Sequence, residues 1–212
     1  MKIGLVSDTY GNVGALERAI DLFARAQTER IFFLGGRLAD LEVALARRRG
    51  GSRDAPVPQT DGEFLAAIRG ALERQAGIDP DAVKLPGKVV SVASRACPEY
   101  ETGAVPRKQM DLVAGHICCL VHDKAELTRE DIANATVLFH GNSGHAALVQ
   151  IGPRYFVTPG HLRDPAPDGK PATFAMLEVS ERELELVVFS ADAAEVGRQQ
   201  ASFGARGKMS VR

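Results

Sequence analysis

The chain has 212 residues, enough for one substantial hydrophobic core but too few for a second full domain. Hydrophobic residues (45%) and charged residues (25%) occur at the frequencies of an ordinary soluble globular protein. A net charge of −1 excludes a dedicated nucleic-acid binder, and no apolar stretch approaches the roughly 20 residues that a membrane-spanning helix needs. Because the N-terminus also lacks the pattern of a secretory signal, we expect a cytoplasmic protein.

The first half of the chain alternates strand-like and helix-like patterns. Continuous aliphatic and β-branched runs predict buried strands at 2–8, 30–36 and 88–94, and a loop rich in Gly and Pro is expected at 50–62. This order is typical of a parallel sheet with crossover helices. Apolar positions at helical spacing predict three helices, defined by Leu16, Ile20 and Phe23, by Leu38, Leu41 and Leu45, and by Phe64, Ile68 and Leu72.

The second half is richer in strands that are separated by short gaps. Hairpin turns are expected at 152–153 and around 180–181, so we predict that this half is largely antiparallel. The segment 191–212 has little periodicity, and we expect a mobile tail there. Strand-like runs occupy 116–123, 136–142, 146–152, 154–160, 173–180 and 183–190.

Together these patterns predict an α/β fold in which two mixed sheets pack face to face with helices outside, a four-layer α/β/β/α sandwich. We expect a single domain over 1–190, with an insertion or enlarged crossover at about 47–85. The three cysteines, Cys97, Cys118 and Cys119, have no metal-binding spacing, so they are interpreted as buried free thiols in a reducing compartment.

The stretch "SDTYGN" closes the first strand with Asp8 and turns toward the first helix, for which Asn12 is a suitable N-cap. A carboxylate at the carboxyl end of a strand can serve as a metal ligand. It can equally hold the turn through hydrogen bonds to backbone N–H groups, and the sequence leaves both roles open. The glycine pair that ends the second strand is either a tight turn or, through its backbone N–H groups, a weak anion cradle.

These landmarks resemble, in order, those of the calcineurin-like metallophosphoesterases, especially their small bacterial phosphodiesterase branch. Where that family has Asp-x-His followed by Gly-Asn, Leu-Gly-Asp and Gly-Asn-Cys-Asp, this chain has "SDTYGN", "LGG" at 34–36 and "RACP" at 95–98. The family's His-Gly-His and Gly-His-Thr-His align with "HDK" at 122–124 and "GNSG" at 141–144, and its Asn-Pro-Gly-Ser with "TPGH" at 158–161.

The resemblance implies a site in which two divalent cations about 3.5–4 Å apart hold a phosphate ester. It aligns the family's ligand and phosphate-contacting positions with Asp8, Tyr10, Gly36, Ala96, His122, Asn142 and Gly144. The carboxylate shared by the two cations becomes Gly36, which has no ligand atom. A phenol such as Tyr10 must lose a proton with a pKa near ~10 before it binds metal well. The chain is therefore identified as a degenerate member that lacks most metal ligands.

The remaining cleft would be lined by Asp8, Tyr10, Asn12, Gly36, Ala96, His122, Asn142, Gly144 and His161. We expect Tyr10 to turn inward and fill part of the space of a metal-bound imidazole. No catalytic residue and no metal cofactor are expected. An alternative is one divalent ion (Mn, Fe, Zn or Ni) at a displaced site drawn from Asp8, His122, His140 and His145, although the last two can simply flank a loop.

Two functions follow as hypotheses. In the first, the chain is an inactive binding or interaction module whose partner is another protein, as is the small metallophosphoesterase-like subunit of retromer. In the second, it is a metal-dependent phosphodiesterase or phosphatase with a reduced or relocated metal site. Binding of a phosphate-containing ligand without hydrolysis uses the same residues as the first hypothesis.

Overall fold

The structure is a computed structural model that describes residues 1–48, 87–204 and 210–211. The loop predicted at 50–62 lies outside the described residues, and so does nearly all of the insertion predicted at 47–85. The helix expected around Phe64, Ile68 and Leu72 falls in the same undescribed segment.

The described residues form twelve strands and four α-helices, and none of these helices is long and apolar enough to cross a membrane. The strands are β1 (Lys2–Val6), β2 (Arg30–Phe33), β3 (Lys88–Ser91), β4 (Lys108–Val113), β5 (His116–Val121), β6 (Val137–His140), β7 (Ala146–Ile151), β8 (Arg154–Pro159), β9 (Thr173–Val179), β10 (Glu183–Ser190), β11 (Glu195–Ser202) and β12 (Ser210–Val211). The helices are α1 (Val13–Arg25), α2 (Leu38–Arg48), α3 (Pro98–Thr102) and α4 (Arg129–Asn134).

The strands form two mixed sheets that are flanked by helices. The larger sheet has the order β12–β11–β10–β9–β1–β2–β3, in which β1, β2 and β3 run parallel. The smaller sheet has the order β4–β5–β6–β8–β7. Helices α1 and α2 pack outside the larger sheet, and α4 packs outside the smaller one. The predicted four-layer α/β/β/α sandwich is therefore confirmed.

The main core lies between the two sheets because successive side chains of a strand point to opposite faces. Ile3 and Leu5 of β1 point toward the smaller sheet. Phe32 meets Phe139 edge to face, with ring centres 5.0 Å apart. Both rings are fully buried, and each such burial contributes roughly 1.5–3 kcal/mol to stability. This core fixes the strand ends from which the site loops emerge.

Helix α1 forms where the sequence predicts it. The Oδ1 atom of its N-cap, Asn12, accepts a hydrogen bond from the backbone N–H of Ala15 at 3.2 Å. The ring of Phe23 fills the space beside Gly4, where an added Cβ atom would lie 2.4 Å from the ring. A glycine in a buried strand thus allows the helix to approach the sheet closely.

The prediction of a largely antiparallel second half is wrong for the smaller sheet. Strands β5, β6 and β8 run parallel, and only β4 and β7 join them as antiparallel partners. The connection from β5 to β6 passes through α4, a short crossover helix that the sequence analysis treated as a gap. The hairpin between β7 and β8 is confirmed, but β7 lies at the sheet edge and leaves β8 beside β6.

Regular structure continues into the described part of the segment 191–212, where we expected a tail. Strand β11 pairs with β10 along its length, so the larger sheet continues past the domain boundary that we placed at residue 190. Its sequence is mostly polar, and Arg198 and Gln200 both donate hydrogen bonds to Glu185 on the neighbouring strand. Cross-strand polar pairs of this kind leave no apolar alternation for a sequence pattern to detect.

Side chains of β11 also reach across to the smaller sheet. The backbone N–H of Leu148 on β7 donates a hydrogen bond of 2.7 Å to Oε1 of Gln199. Close by, the hydroxyl of Tyr155 on β8 donates to the backbone carbonyl of Ser202 at 2.6 Å. The two sheets are therefore joined by hydrogen bonds as well as by the apolar core.

The three cysteines are buried and unpaired, as predicted. Burial raises the pKa of Cys97 to about 11, of Cys118 to about 12 and of Cys119 to about 11. At neutral pH the thiols are therefore protonated and unreactive.

Candidate functional site

The loops that follow β1, β2, β3, β5, β6 and β8 meet at one end of the sandwich. Direct hydrogen bonds link the loop after β1 to each of the other five loops. This is the edge at which parallel strands present side chains for binding or catalysis. The residues predicted to line the remnant cleft lie in these loops.

Asp8 is the centre of this site and is completely buried. Its Oδ1 atom lies 3.0 Å from His122 Nε2 and accepts a hydrogen bond of 2.7 Å from Arg163 Nη2. Its Oδ2 atom accepts hydrogen bonds from Ser7 Oγ at 2.5 Å and from the backbone N–H of Asn142 at 2.8 Å. Two partners on each oxygen use the capacity of an ionised carboxylate in full.

These contacts keep Asp8 ionised. Burial by itself would raise the pKa of Asp8, but the hydrogen bond and charge of His122, with the hydrogen bonds of Ser7 and Arg163, outweigh it. The pKa of Asp8 therefore lies well below its usual range. The buried negative charge is compensated inside the protein.

A second buried carboxylate, which the sequence analysis missed, fixes the turn after Asp8. Asp40 in the first turn of α2 accepts hydrogen bonds from Thr9 Oγ1 at 2.6 Å and from the backbone N–H of Gly11 at 2.8 Å. Asp8 and Tyr10 both have positive φ, +54° and +39°, a conformation that costs free energy in a residue with a Cβ atom. The turn therefore depends on Asp40 to hold its backbone.

Tyr10 points inward, as expected. Its hydroxyl lies 3.0 Å from Oγ of the buried Ser94, and burial raises the pKa of Tyr10. The guanidinium carbon of Arg163 lies 4.5 Å from the centre of the Tyr10 ring, a cation–π contact.

Gly36 replaces the shared carboxylate of the family, and the loop leaves no room for a side chain there. An added Cβ atom would lie 2.9 Å from the backbone nitrogen of Thr9 and 3.2 Å from Asp8 Cα. The φ of Gly36 is +115°, which side-chain-bearing residues rarely adopt. The backbone conformation at residue 36 therefore disfavours an aspartate there. Ala96 is exposed, and its N–H donates to Ser94 Oγ at 3.3 Å.

The "GNSG" loop contributes backbone where the family has histidines. The side chain of Asn142 donates to Asp123 Oδ2 at 3.0 Å and does not face Asp8, which it contacts through its N–H. A Cβ atom on Gly144 would lie 2.6 Å from Lys170 Nζ, so the lysine occupies that space. Asn142 and Gly144 therefore supply no ligand side chain.

The other histidines do not join Asp8 and His122 in a ligand set. His140 is buried, its Nδ1 lies 3.0 Å from the Gly141 carbonyl, and burial lowers the pKa of this imidazole. His145 is exposed. His161 is buried beside the site, its Nδ1 accepts the backbone N–H of Arg163 at 3.2 Å, and burial lowers its pKa. In the part of the chain that the structure describes, no three His, Cys, Asp or Glu side chains form a group that could hold a metal ion.

The residues present therefore do not fit a two-metal centre. The one retained carboxylate has a guanidinium on Oδ1, and the position of the bridging carboxylate cannot hold a side chain without backbone movement. A bridging carboxylate is what offsets the repulsion between two dications a few ångströms apart. Sequence reasoning identified Asp8, Tyr10 and His122 but missed Arg163, although it lies only two residues after His161.

This fold, with its site at the ends of the parallel strands, is the scaffold of the calcineurin-like phosphoesterases. The family described as "Calcineurin-like phosphoesterase superfamily domain" matches residues 1–182, and the chain belongs to that family. No curated protein matches the chain.

Solved structures with the same fold come from bacteria and eukaryotes. YfcE, a phosphoesterase from E. coli, is 20% identical over 96% of this chain and 100% of its own, with a TM-score of 0.58. An uncharacterized protein from Streptococcus pneumoniae is 14% identical over 95% of this chain and 97% of its own, with a TM-score of 0.59. Vps29 from Entamoeba histolytica, solved with Zn²⁺, is 14% identical over 96% of this chain and 100% of its own, with a TM-score of 0.56.

Proposed function

We propose that this chain is a non-catalytic member of the family that acts as a binding or interaction module for another protein, without a metal cofactor. The observation that carries the proposal is the state of Asp8. Both of its oxygens are hydrogen-bonded within the protein, and its charge is balanced by the guanidinium of Arg163.

The chemistry of the family explains why this observation matters. Two-metal hydrolysis of a phosphate ester needs carboxylates that hold the two cations and generate a metal-bound hydroxide. In this chain Asp8 is the only carboxylate retained from that set, and hydrogen bonds already occupy both of its oxygens. Gly36 has no side-chain atom that could bind a metal ion. Losing the shared ligand together with the histidines at 142 and 144 removes the means of binding a second cation.

A protein partner is favoured by two considerations. The family resemblance includes a subunit that serves as an interaction module, and the scaffold of this chain remains well packed although the ligand positions have changed. The three buried, unpaired thiols favour a reducing compartment such as the cytoplasm. We infer that the retained shape of the sandwich is what this chain uses for binding.

The test compares metal content and activity. The protein is produced in medium supplemented with Mn, Fe, Zn and Ni, its metal content is measured by mass spectrometry, and hydrolysis of bis(p-nitrophenyl) phosphate is followed with and without a chelator. We expect substoichiometric metal. Any turnover that is observed should be unaffected by Asp8→Ala and by His122→Ala. Stoichiometric metal with turnover that both substitutions remove would overturn the proposal.

The second candidate function is a phosphodiesterase or phosphatase with one divalent ion. It is favoured by one observation, the 3.0 Å separation of His122 Nε2 and Asp8 Oδ1, which places two potential ligand atoms side by side. For this function the guanidinium of Arg163 must leave Asp8 when metal binds. The same measurements decide between the two functions, because only this one predicts chelator-sensitive turnover.

A further inference from the structure

Arg163 is held in place by its own backbone neighbours. The N–H of Leu162 donates to the Ser7 carbonyl at 3.0 Å, and the Leu162 carbonyl accepts a hydrogen bond from Asn12 Nδ2 at 2.9 Å. The N–H of Arg163 itself donates to His161 Nδ1 at 3.2 Å. These hydrogen bonds attach the segment after β8 to the Asp8 turn, and they fix the backbone position from which the Arg163 side chain extends.

The guanidinium then makes two contacts that suit its chemistry. Nη2 donates to Asp8 Oδ1 at 2.7 Å, and the planar group lies over the Tyr10 ring. Arginine is always charged, forms short charge-assisted hydrogen bonds to carboxylates, and stacks on aromatic faces. About a third of the Arg163 side chain remains exposed, so the group forms the outer surface of the site.

These contacts link Tyr10 and Arg163 as one structural unit. The Tyr10 hydroxyl is anchored at Ser94 below, and the ring face supports the guanidinium above. A ring that carries both a flat face and a hydrogen-bonding tip meets these two requirements together. The replacement of a ligand histidine by tyrosine thus has a counterpart in an arginine more than a hundred residues away in sequence.

We infer that Arg163, supported by Tyr10, is an internal cation that takes the place of a metal ion at Asp8, and that without it this place binds a small external cation. The inference rests on the proposed function and deepens it, because it names what neutralises the vacated metal position. The external cation is a small guanidinium compound, because the place is shaped and hydrogen-bonded for the Arg163 guanidinium.

The first experiment is a double-mutant cycle with Arg163→Ala, Asp8→Asn and the double variant, measured by urea unfolding at neutral pH. We expect Arg163→Ala to lower the folding equilibrium constant roughly ten- to a hundredfold, the range of a hydrogen bond to a charged group. The folding equilibrium constant of the double variant should fall by less than the product of the two single fold-changes. The reason is that Asp8→Asn removes the buried charge that Arg163→Ala leaves uncompensated. Multiplicative effects without coupling would overturn the inference.

The second experiment measures rescue of Arg163→Ala. Methylguanidinium is added at matched ionic strength, and the shift in melting temperature is compared with that of the parent protein. We expect a rise for Arg163→Ala, and none for the parent protein or the double variant. Coupling without rescue would refute the claim that the position accepts an external cation.

Arg198→Ala is the matched control. Arg198 is also a partly exposed arginine paired with carboxylates, Glu185 and Glu195, but it lies on β11 away from the site loops. Arg198→Ala should show no rescue by methylguanidinium. If Arg163→Ala does not fold, Arg163→Gln replaces it in the cycle, because glutamine removes the positive charge but keeps much of the side chain. Its effect should still be coupled to that of Asp8→Asn, and an absence of coupling would count against the inference.

Failure of this inference can be told apart from failure of the proposed function. Uptake of metal and turnover by the parent protein bear on the proposed function alone. Loss of coupling or rescue in a parent protein that takes up no metal leaves the proposed function intact and removes only the role of Arg163.

Discussion

Substitution of Gly36 by alanine tests whether the site has lost its bridging carboxylate through the backbone and not only through a change of one side chain. A residue with a Cβ atom at φ +115° costs roughly 1–3 kcal/mol of folding free energy. The added Cβ atom also lies 2.9 Å from the Thr9 backbone nitrogen. Thr9 cannot move away easily because its hydroxyl is bonded to Asp40, so we expect overpacking to add roughly 1–3 kcal/mol.

The control is Gly115→Ala in the turn between β4 and β5. Gly115 has φ +84°, yet nothing lies within 4 Å of an added Cβ atom, so this substitution carries the backbone cost alone. Urea unfolding of both variants at neutral pH gives the difference, and Gly36→Ala should be the less stable by roughly 1–3 kcal/mol. Equal stabilities would mean that the loop adapts, and that Gly36→Asp could restore a ligand. In that case our account of the site would be wrong.

Three further predictions concern other parts of the molecule. Thr128→Ala removes the capping box of α4 and should cost about 1 kcal/mol in thermal or urea unfolding, while an unchanged stability would show that the cap is dispensable. Hydrogen bonds from Arg198 lower the pKa of Glu185 in the folded state, so their stabilisation is present at neutral pH and disappears as the pH falls through that lowered value. Glu185→Gln should therefore be less stable than the parent by a few tenths to about 1 kcal/mol at pH 7, and the difference should close once the pH falls below that lowered pKa; a difference that persists there would contradict this assignment. The three buried thiols should react with an aromatic disulfide reagent at pH 8 only after unfolding, and rapid labelling of the native protein would refute their burial.

The sequence predicted those parts of the fold that produce a local pattern of apolar residues. The continuous apolar runs of β1, β2 and β3 and the helical spacing in α1 are readable because each face is buried against one neighbour. Strand β11 escaped prediction because its stability comes from pairing with β10 and from polar cross-strand contacts. The parallel pairing of β6 with β8 depends on which strand takes the sheet edge, a choice that no local pattern records.

The site was predicted in the same uneven way. Asp8 and His122 stand at strand ends where the resemblance directs attention, and the structure brings them together. Arg163 pairs with Asp8 across 155 positions of sequence, and neither residue alone signals the other. Asp40 resembles an ordinary acidic residue in the first turn of a helix, although it holds the backbone of the neighbouring loop. Residues that act through distant partners become visible only in three dimensions.

The hydrogen bond from Leu148 to Gln199 has a consequence for how this molecule behaves at high concentration. Strand β7 is the last strand of the smaller sheet, and an unpaired backbone at a sheet edge is a template on which a strand of another molecule can add. A side chain from the opposite sheet already accepts one of those N–H groups. Gln199 thereby occupies a backbone donor with which a strand of another molecule could otherwise pair at this sheet edge. Replacing it should favour sheet-to-sheet aggregation before it weakens the fold.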